Sequence, residues 1–326
     1  MGSEKSAAVA AFASADEADR RIAGVAAAAR AVRELAEAGH MEIRLEVGGD
    51  APPAPATLDD IERVRGAAAA AIAHIAQVDA PYAVPTAWEI VRRTGKPGDG
   101  LVSRWINRPI SQRITLLALT ITGARPVHAT AATALIALAM FAVLLSGGPL
   151  GLILGGVLFQ AASVVDGVDG EIARATHRAS AAGAALDSAV DLATNLLFFI
   201  GLIAALADRD GPFIAWVGGW GLGLFALGMA VIGWRMRRGG APLGFDLVKE
   251  GAGRPASPAA ALARAATIVT SRDFFAFLFM VMILAGLERA VVYLFAAAGT
   301  VWIPIAAARL LARPDGRRGP GFRGAA

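Results

Sequence analysis

Asp166–Asp191 reads DGVDGEIARATHRASAAGAALDSAVD, and four of its carboxylates stand at helical spacings. Asp166 and Asp169 are three residues apart, Asp187 and Asp191 four apart, so on helices each pair shares one face. Two antiparallel helices would then aim four carboxylates into one pocket. Apolar runs flank the stretch, Pro149–Val165 before it and Leu192–Ala207 after it. An acid placed where a bilayer begins is costly and reads by default as functional, with a cationic partner. Clustered carboxylates are hard oxygen ligands suited to Mg²⁺, Mn²⁺ or Ca²⁺. The stretch predicts a divalent-metal site at a membrane surface.

Small residues between the acids sharpen this. Gly170 follows Asp169, Ala173 lies one turn on, and Gly183 precedes Asp187 by one turn. Both helix faces thus have room for a flat ring or a ribose to approach the backbone. Arg174 offers a planar fork suited to a phosphate. Metal, phosphate clamp and shaved helix faces together describe a nucleoside-diphosphate site. The bland alternative is two polar helix ends carrying solvated acids.

At these residues the chain resembles the CDP-alcohol phosphotransferase family of integral membrane enzymes. Asp166, Asp169, Gly170, Ala173, Arg174, Gly183, Asp187 and Asp191 match all eight positions of its signature, D-x2-D-G-x2-A-R-x8-G-x3-D-x3-D. The resemblance implies transfer of a substituted phosphate from a CDP-alcohol to a second alcohol, with release of CMP. Two Mg²⁺ or Mn²⁺ ions would be held by Asp166, Asp169, Asp187 and Asp191. Nucleotide contacts would come from Asp166, Gly170, Ala173, Arg174 and Gly183. Asp191 is placed to take the proton of the attacking hydroxyl, the role the resemblance also gives it. Family members are generally homodimers, and a homodimer is expected here on that basis alone. One departure stands out: the first span usually opens T-P-N-x-V-T, whereas here Arg125–Thr130 reads RPVHAT. Pro126 and Thr130 can still start the helix, but a polar side chain near the site is missing.

Composition agrees with a membrane protein: 56% of residues are hydrophobic and mean hydropathy is +0.55. The absence of cysteine excludes disulfides and thiolate metal sites. The net charge of +4 is small, and the arginines are not interleaved with stacking aromatics, which argues against nucleic acid. Met1–Arg30 is alanine-rich with scattered acids and does not read as a signal peptide.

Residues 1–97 carry no membrane-length run and predict a small cytosolic α/β fragment. Asp16–His40 reads as one helix ending near Gly39, and Met41–Val47 alternates like a strand with Ile43, Leu45 and Val47 on one face. GGDAPPAPA at 48–56 is a turn or linker, Thr57–Gln77 looks helical, and Thr86 with Glu89 forms a capping box. The stretch IAGVAAAARAVRELAEAGHMEIRLEVGG (22–49) resembles part of a sugar-nucleotide or inositol-phosphate cytidylyltransferase. It lacks that family's glycine-rich loop, so the fragment is expected to be catalytically dead and to serve as a scaffold.

From residue 98 to about 120 an amphipathic juxtamembrane segment is expected, with Val102, Trp105, Ile106, Ile110 and Ile114 toward lipid and Arg104, Arg108 and Arg113 toward headgroups. Residues 121–312 predict six spans: about 127–146, 149–165, 183–207, 211–234, 265–287 and 290–311. Residues 313–326 form a basic tail. The links after spans two and four and the tail hold nearly all the arginines, while the opposite links carry Arg209 and Arg289. Both termini and the acidic motif are therefore expected on the cytoplasmic side, and the expected location is a bacterial inner membrane. The fold class is thus all-α integral membrane.

Span five has 14 uncharged residues between Asp273 and Glu288, which draws Ser271, Arg272 and Asp273 to membrane depth. Arg272 is the leading candidate for an acceptor phosphate, followed by Arg235 and Arg178. His177 reads as a solvated loop residue, and Gln160, Ser163 and Asn195 as polar groups that satisfy one another between helices. The donor is expected to be CDP-diacylglycerol or CDP-inositol, with phospholipid synthesis favoured. A metal-dependent prenyltransferase would not call for the A-R-x8-G spacing. A divalent-metal transporter would place its acids mid-bilayer on several spans.

Overall fold

The computed structural model describes residues 8–96, 98–121, 123–239 and 272–311, with side chains to 231 and 301 in the last two segments. They fall into two compact units, Met1–Ala131 with Val164–Gly183, and Ala132–Ser163 with Ala184–Ala326.

The first unit opens with a three-stranded parallel sheet of β1 (Ala8–Phe12), β4 (Glu42–Gly48) and β5 (Ala69–Ile75), in the order β1-β4-β5. Ile43, Leu45 and Val47 point into one core with Phe12, Val25, Val32 and Ile61, as the period-two alternation of β4 requires. Helices α2 (Ala27–Glu37) and α3 (Pro55–Val64) contribute to that core.

Two expectations fail here. The helix expected over Asp16–His40 is split: α1 covers only Ala15–Asp19, and β2 (Arg21–Ile22) and β3 (Val25–Ala26) form a hairpin before α2. Ala23 and Gly24 turn it, both with positive φ, as a two-residue hairpin loop demands. The second failure is β5, which falls in the segment expected to be helical. Alanine favours helix locally, but all seven residues from Ala69 to Ile75 pair with Glu42–Gly48, and that ladder overrides propensity. The end of α2 at Gly39 and the Thr86–Glu89 capping box of α4 (Ala87–Arg92) are as expected.

After α4, a π-helical turn over Ser103–Asn107 leads into α5 (Arg108–Ala118). Its faces differ from the expected ones. Val102 is buried and Ile114 packs against Ala129, Val168 and Ile172. The exposed apolar residues are Leu101, Trp105, Ile110, Leu117 and Ile121, while Ser103, Asn107, Ser111 and Thr115 are buried. The π turn inserts one residue, so Trp105 and Ile110, five apart, stay on the outer face. Polar groups inward and apolar groups outward is the reverse of a water-soluble helix.

The long helices are α6 (Pro126–Leu145), α7 (Pro149–Ala175), α8 (Ala181–Asp210), α9 (Pro212–Gly239), α10 (Arg272–Leu284) and α11 (Glu288–Leu311). Among the described residues, four are long and apolar enough to cross a membrane: α6, α7, α8 and residues Pro212–Val231 of α9. The start of the fifth expected span, 265–271, lies outside the described residues. Within the second unit α9 runs along α11. Phe159 stacks on Phe198 at 3.9 Å and Phe199 on Phe295 at 3.6 Å, with Phe279 against both Phe198 and Phe199. Such rings are packing groups, each pair adding about 0.5–1.5 kcal/mol beyond area burial.

At the α8–α9 turn, Asp210 accepts hydrogen bonds from Arg289 (2.5 and 2.8 Å) and Arg209 (3.0 and 3.1 Å), and Arg209 also pairs with Glu288 at 2.7 Å. Arg209 and Arg289, which sit on the arginine-poor links, are therefore both paired with acids.

Candidate functional site

The last turns of α7 carry Asp166, Asp169, Gly170, Ala173 and Arg174. Asp169 is buried, and its Oδ2 accepts a 2.6 Å hydrogen bond from the Thr130 hydroxyl in the first turns of α6. Thr130 is the threonine that this segment shares with T-P-N-x-V-T, and Val127 stands where that pattern has its asparagine.

Next to Gly170 sits Glu171, fully buried at 0% exposure. Its Oε1 accepts from Arg108 Nη1 (2.8 Å) and Ser111 Oγ (2.6 Å), and its Oε2 from Thr115 Oγ1 (2.6 Å). Arg108 also forks onto Asp99 through Nε (2.8 Å) and Nη2 (3.1 Å). Burial works to raise the Asp99 carboxyl, but the Arg108 hydrogen bonds overcome it and hold the group below its ordinary range. Close approach needs a bare backbone: a Cβ on Gly167 would lie 3.3 Å from Arg108 Nη1. Neither Glu171 nor Arg108 stood out in the sequence as a site residue. A glutamate inside an apolar helix face is the signal that would have pointed to it.

Arg174 is turned back along its own helix. Its Nε donates to the Thr94 carbonyl at 2.8 Å, and a Cβ on Gly170 would meet Nη1 at 3.0 Å and Nη2 at 3.3 Å. Gly170 therefore makes room for the Arg174 guanidinium, a use of that glycine not foreseen from the sequence. The helix ends in a Schellman motif, with His177 N donating to Arg174 O (3.3 Å) and Arg178 N to Ala173 O (2.8 Å). His177 occupies the left-handed position at φ 53°.

His177 is half-buried rather than solvated as expected. Burial foremost, then Arg30 and Arg33, push its imidazole down to about 4. Its pKa is depressed on folding, so nothing is lost above the unfolded value of about 6.5. Between there and about 4 the unfolded chain takes up a proton that the folded chain refuses, and stability falls. The expected loss, discounted for partial exposure, is about 1–2 kcal/mol. His177→Asn keeps the left-handed turn and should flatten the difference in melting temperature between pH 7 and pH 4.5 relative to wild type. An unchanged pH dependence would contradict it.

On α8, Ser180 Oγ caps the helix by accepting from Gly183 N at 3.0 Å. Asp187 and Asp191 follow on successive turns, with carboxylate oxygens within 4.8 Å of each other. Asp191 forms an ion pair with Arg272, the first residue of α10, and its backbone carbonyl accepts from Asn195 at 2.7 Å. Arg272, expected at an acceptor phosphate, is thus placed on an acidic residue. Ser163 donates to Asp273 at 3.0 Å. Arg178 ends the α7 turn; Arg235 belongs to α9, and its side chain lies outside the described residues.

The family model for CDP-alcohol phosphatidyltransferase matches residues 124–302, more than half of the chain, and spans both acidic pairs. The chain belongs to the CDP-alcohol phosphatidyltransferase family. It is similar to proteins named bifunctional IPC transferase and DIPP synthase. The one from Thermococcus kodakarensis is 37% identical over 116 residues, 35% of this chain and 26% of that protein. The one from Aquifex aeolicus is 37% identical over 146 residues, 43% of this chain and 32% of that protein. The one from Rubrobacter xylanophilus is 41% identical over 133 residues, 40% and 30%. The matches span about a third or less of the length of these relatives. Family membership accounts for the signature residues of α7 and α8, and the four apolar helices agree with a membrane protein.

Proposed function

We propose that this protein is a CDP-alcohol phosphotransferase, acting on a CDP-diacylglycerol- or CDP-inositol-type donor and an alcohol or phosphorylated-alcohol acceptor. The observation that carries it is the family match over 124–302, which contains an unbroken eight-position signature. Asp187 and Asp191 present hard oxygen donors close enough to share a cation, and we assign Asp166 and Asp169 to the same ligand set. Two Mg²⁺ or Mn²⁺ ions bound there would neutralise the diphosphate and the charge growing on the departing CMP oxygen.

The residues of the chain do the rest. Gly170 seats the Arg174 guanidinium that holds a phosphate oxygen, while Ala173 and Gly183 leave their helix faces open to the nucleotide. Asp191 accepts the proton of the acceptor hydroxyl as its oxygen bonds to phosphorus and the bond to the CMP oxygen breaks. Arg272, Arg178 and Arg235 are the acceptor-side cations of this reading. Six spans, the outward apolar stripe of α5 in the lipid interface, a cytoplasmic-facing site in a bacterial inner membrane, a homodimer and a place in phospholipid synthesis complete it. Residues 1–97 are, in the same reading, a nucleotidyltransferase-like fragment without its catalytic loop.

Purified protein in bilayer discs should release labelled CMP from one of the two donor types only with an acceptor present. Chelation with EDTA should abolish release and added Mg²⁺ or Mn²⁺ restore it. Metal-independent release, or none across a donor-by-acceptor grid, would refute the function.

A further inference from the structure

The carbonyls that close α7 have an unusual set of partners. Those of Ile172, Ala173 and Arg174 are taken by local amides of Thr176, Arg178 and His177. The next two are taken from far upstream: Arg30 Nη2 donates to Ala175 O at 2.9 Å, and Arg63 Nη1 to Thr176 O at 2.7 Å. The side chain of Arg174 itself is held by Thr94 O at 2.8 Å. Ala175 and Thr176 are buried, at 2% and 1% exposure, so water does not serve these carbonyls, and arginines of the α/β region are the donors that satisfy them.

These arginines are themselves fixed. Arg30 is 7% exposed and also grips the β2–β3 hairpin through Ile22 O (2.8 Å) and Ala23 O (3.0 Å). Arg63 is anchored by Asp60 at 2.6 Å, and Asp60 in turn accepts from Ala26 N at 3.3 Å. Positive charge at the carboxyl end of a helix also complements its dipole. The α/β region thus reaches the one turn of α7 that carries the phosphate-binding arginine, through three hydrogen bonds spread over Arg30, Arg63 and Thr94.

We propose that the α/β region is a positioning clamp, in which Arg30 and Arg63 hold the end of α7 so that Arg174 meets the donor phosphate in one orientation. This rests on the CDP-alcohol phosphotransferase reading for the role of Arg174, but the clamp itself can be tested apart from it. The full chain in bilayer discs is compared as wild type, Arg63→Gln, Arg30→Gln and Arg63→Lys. In both glutamine variants, amide exchange across residues 173–178 should quicken by at least about 10-fold, with exchange across residues 194–206 of α8 unchanged. The KM for the CDP-alcohol should rise about 5- to 20-fold with kcat within about 3-fold, and Arg63→Lys should recover most of both effects. Unchanged exchange at 173–178, or equal quickening in α8 as well, overturns the clamp. Quickened exchange with an unmoved donor KM overturns its link to Arg174. A wild type that releases no CMP refutes the enzymatic reading and with it the link to donor binding, while exchange still decides the clamp.

Discussion

Asp191→Asn should leave the protein folded and lower CMP release by at least about 10³-fold. Asparagine keeps the size of the side chain but loses the negative charge, so it removes both a proton acceptor and a hard anionic ligand. Folding should hardly notice: the Asp191–Arg272 pair is partly exposed on both sides, and such pairs contribute about 0–1 kcal/mol. The backbone carbonyl of Asp191, which takes the Asn195 amide, is untouched by the change. Labelled CMP release and melting temperature measured on the same preparation separate the two effects. Recovery of turnover at high Mn²⁺ would assign Asp191 as chiefly a ligand, and loss of the low-pH limb of the pH profile would assign it as the base. Turnover near wild type removes it from the chemistry.

Glu171→Ala is expected to be the most damaging single change to stability, at about 3–5 kcal/mol. The carboxylate is fully buried and accepts from three donors, Arg108, Ser111 and Thr115. Truncation leaves those donors facing a cavity, with the Arg108 charge half uncompensated. Glu171→Gln keeps the volume and at least one acceptor, so its cost should be smaller, about 1–3 kcal/mol. Denaturation in detergent, followed by helical signal, reads both. An alanine variant within about 1 kcal/mol of wild type would mean that water replaces the lost bonds and that α5 is not locked to α7 by this residue.

The signature on α7 and α8 was legible because its spacing is helical and its setting apolar; both follow from local chemistry alone. The same holds for Gly39 ending α2 and for the Thr86–Glu89 cap. What failed was local reading where long-range pairing decides. Ala69–Ile75 carries no periodicity that separates helix from strand, and the open edge of β4 captured it. The stripe expected before the first span holds at Trp105 and Ile110. It fails at Val102 and Ile114, which pack inward, and at Arg108, which pairs with Glu171 and Asp99, because a π turn cannot be seen in a hydrophobic pattern that assumes an unbroken period.

From the residues themselves came the family, the apolar helices and the acids at helical spacing, since each depends on neighbours within a few turns. Tertiary structure decided which donors meet those helices. Glu171 finds Arg108 across 63 residues, Asp169 finds Thr130 across 39, and the end of α7 finds Arg30 across 145. A polar group inside a helix must be satisfied somewhere, but its chemistry names only the kind of partner. Chain folding selects which one, because only packing brings distant segments within hydrogen-bond reach.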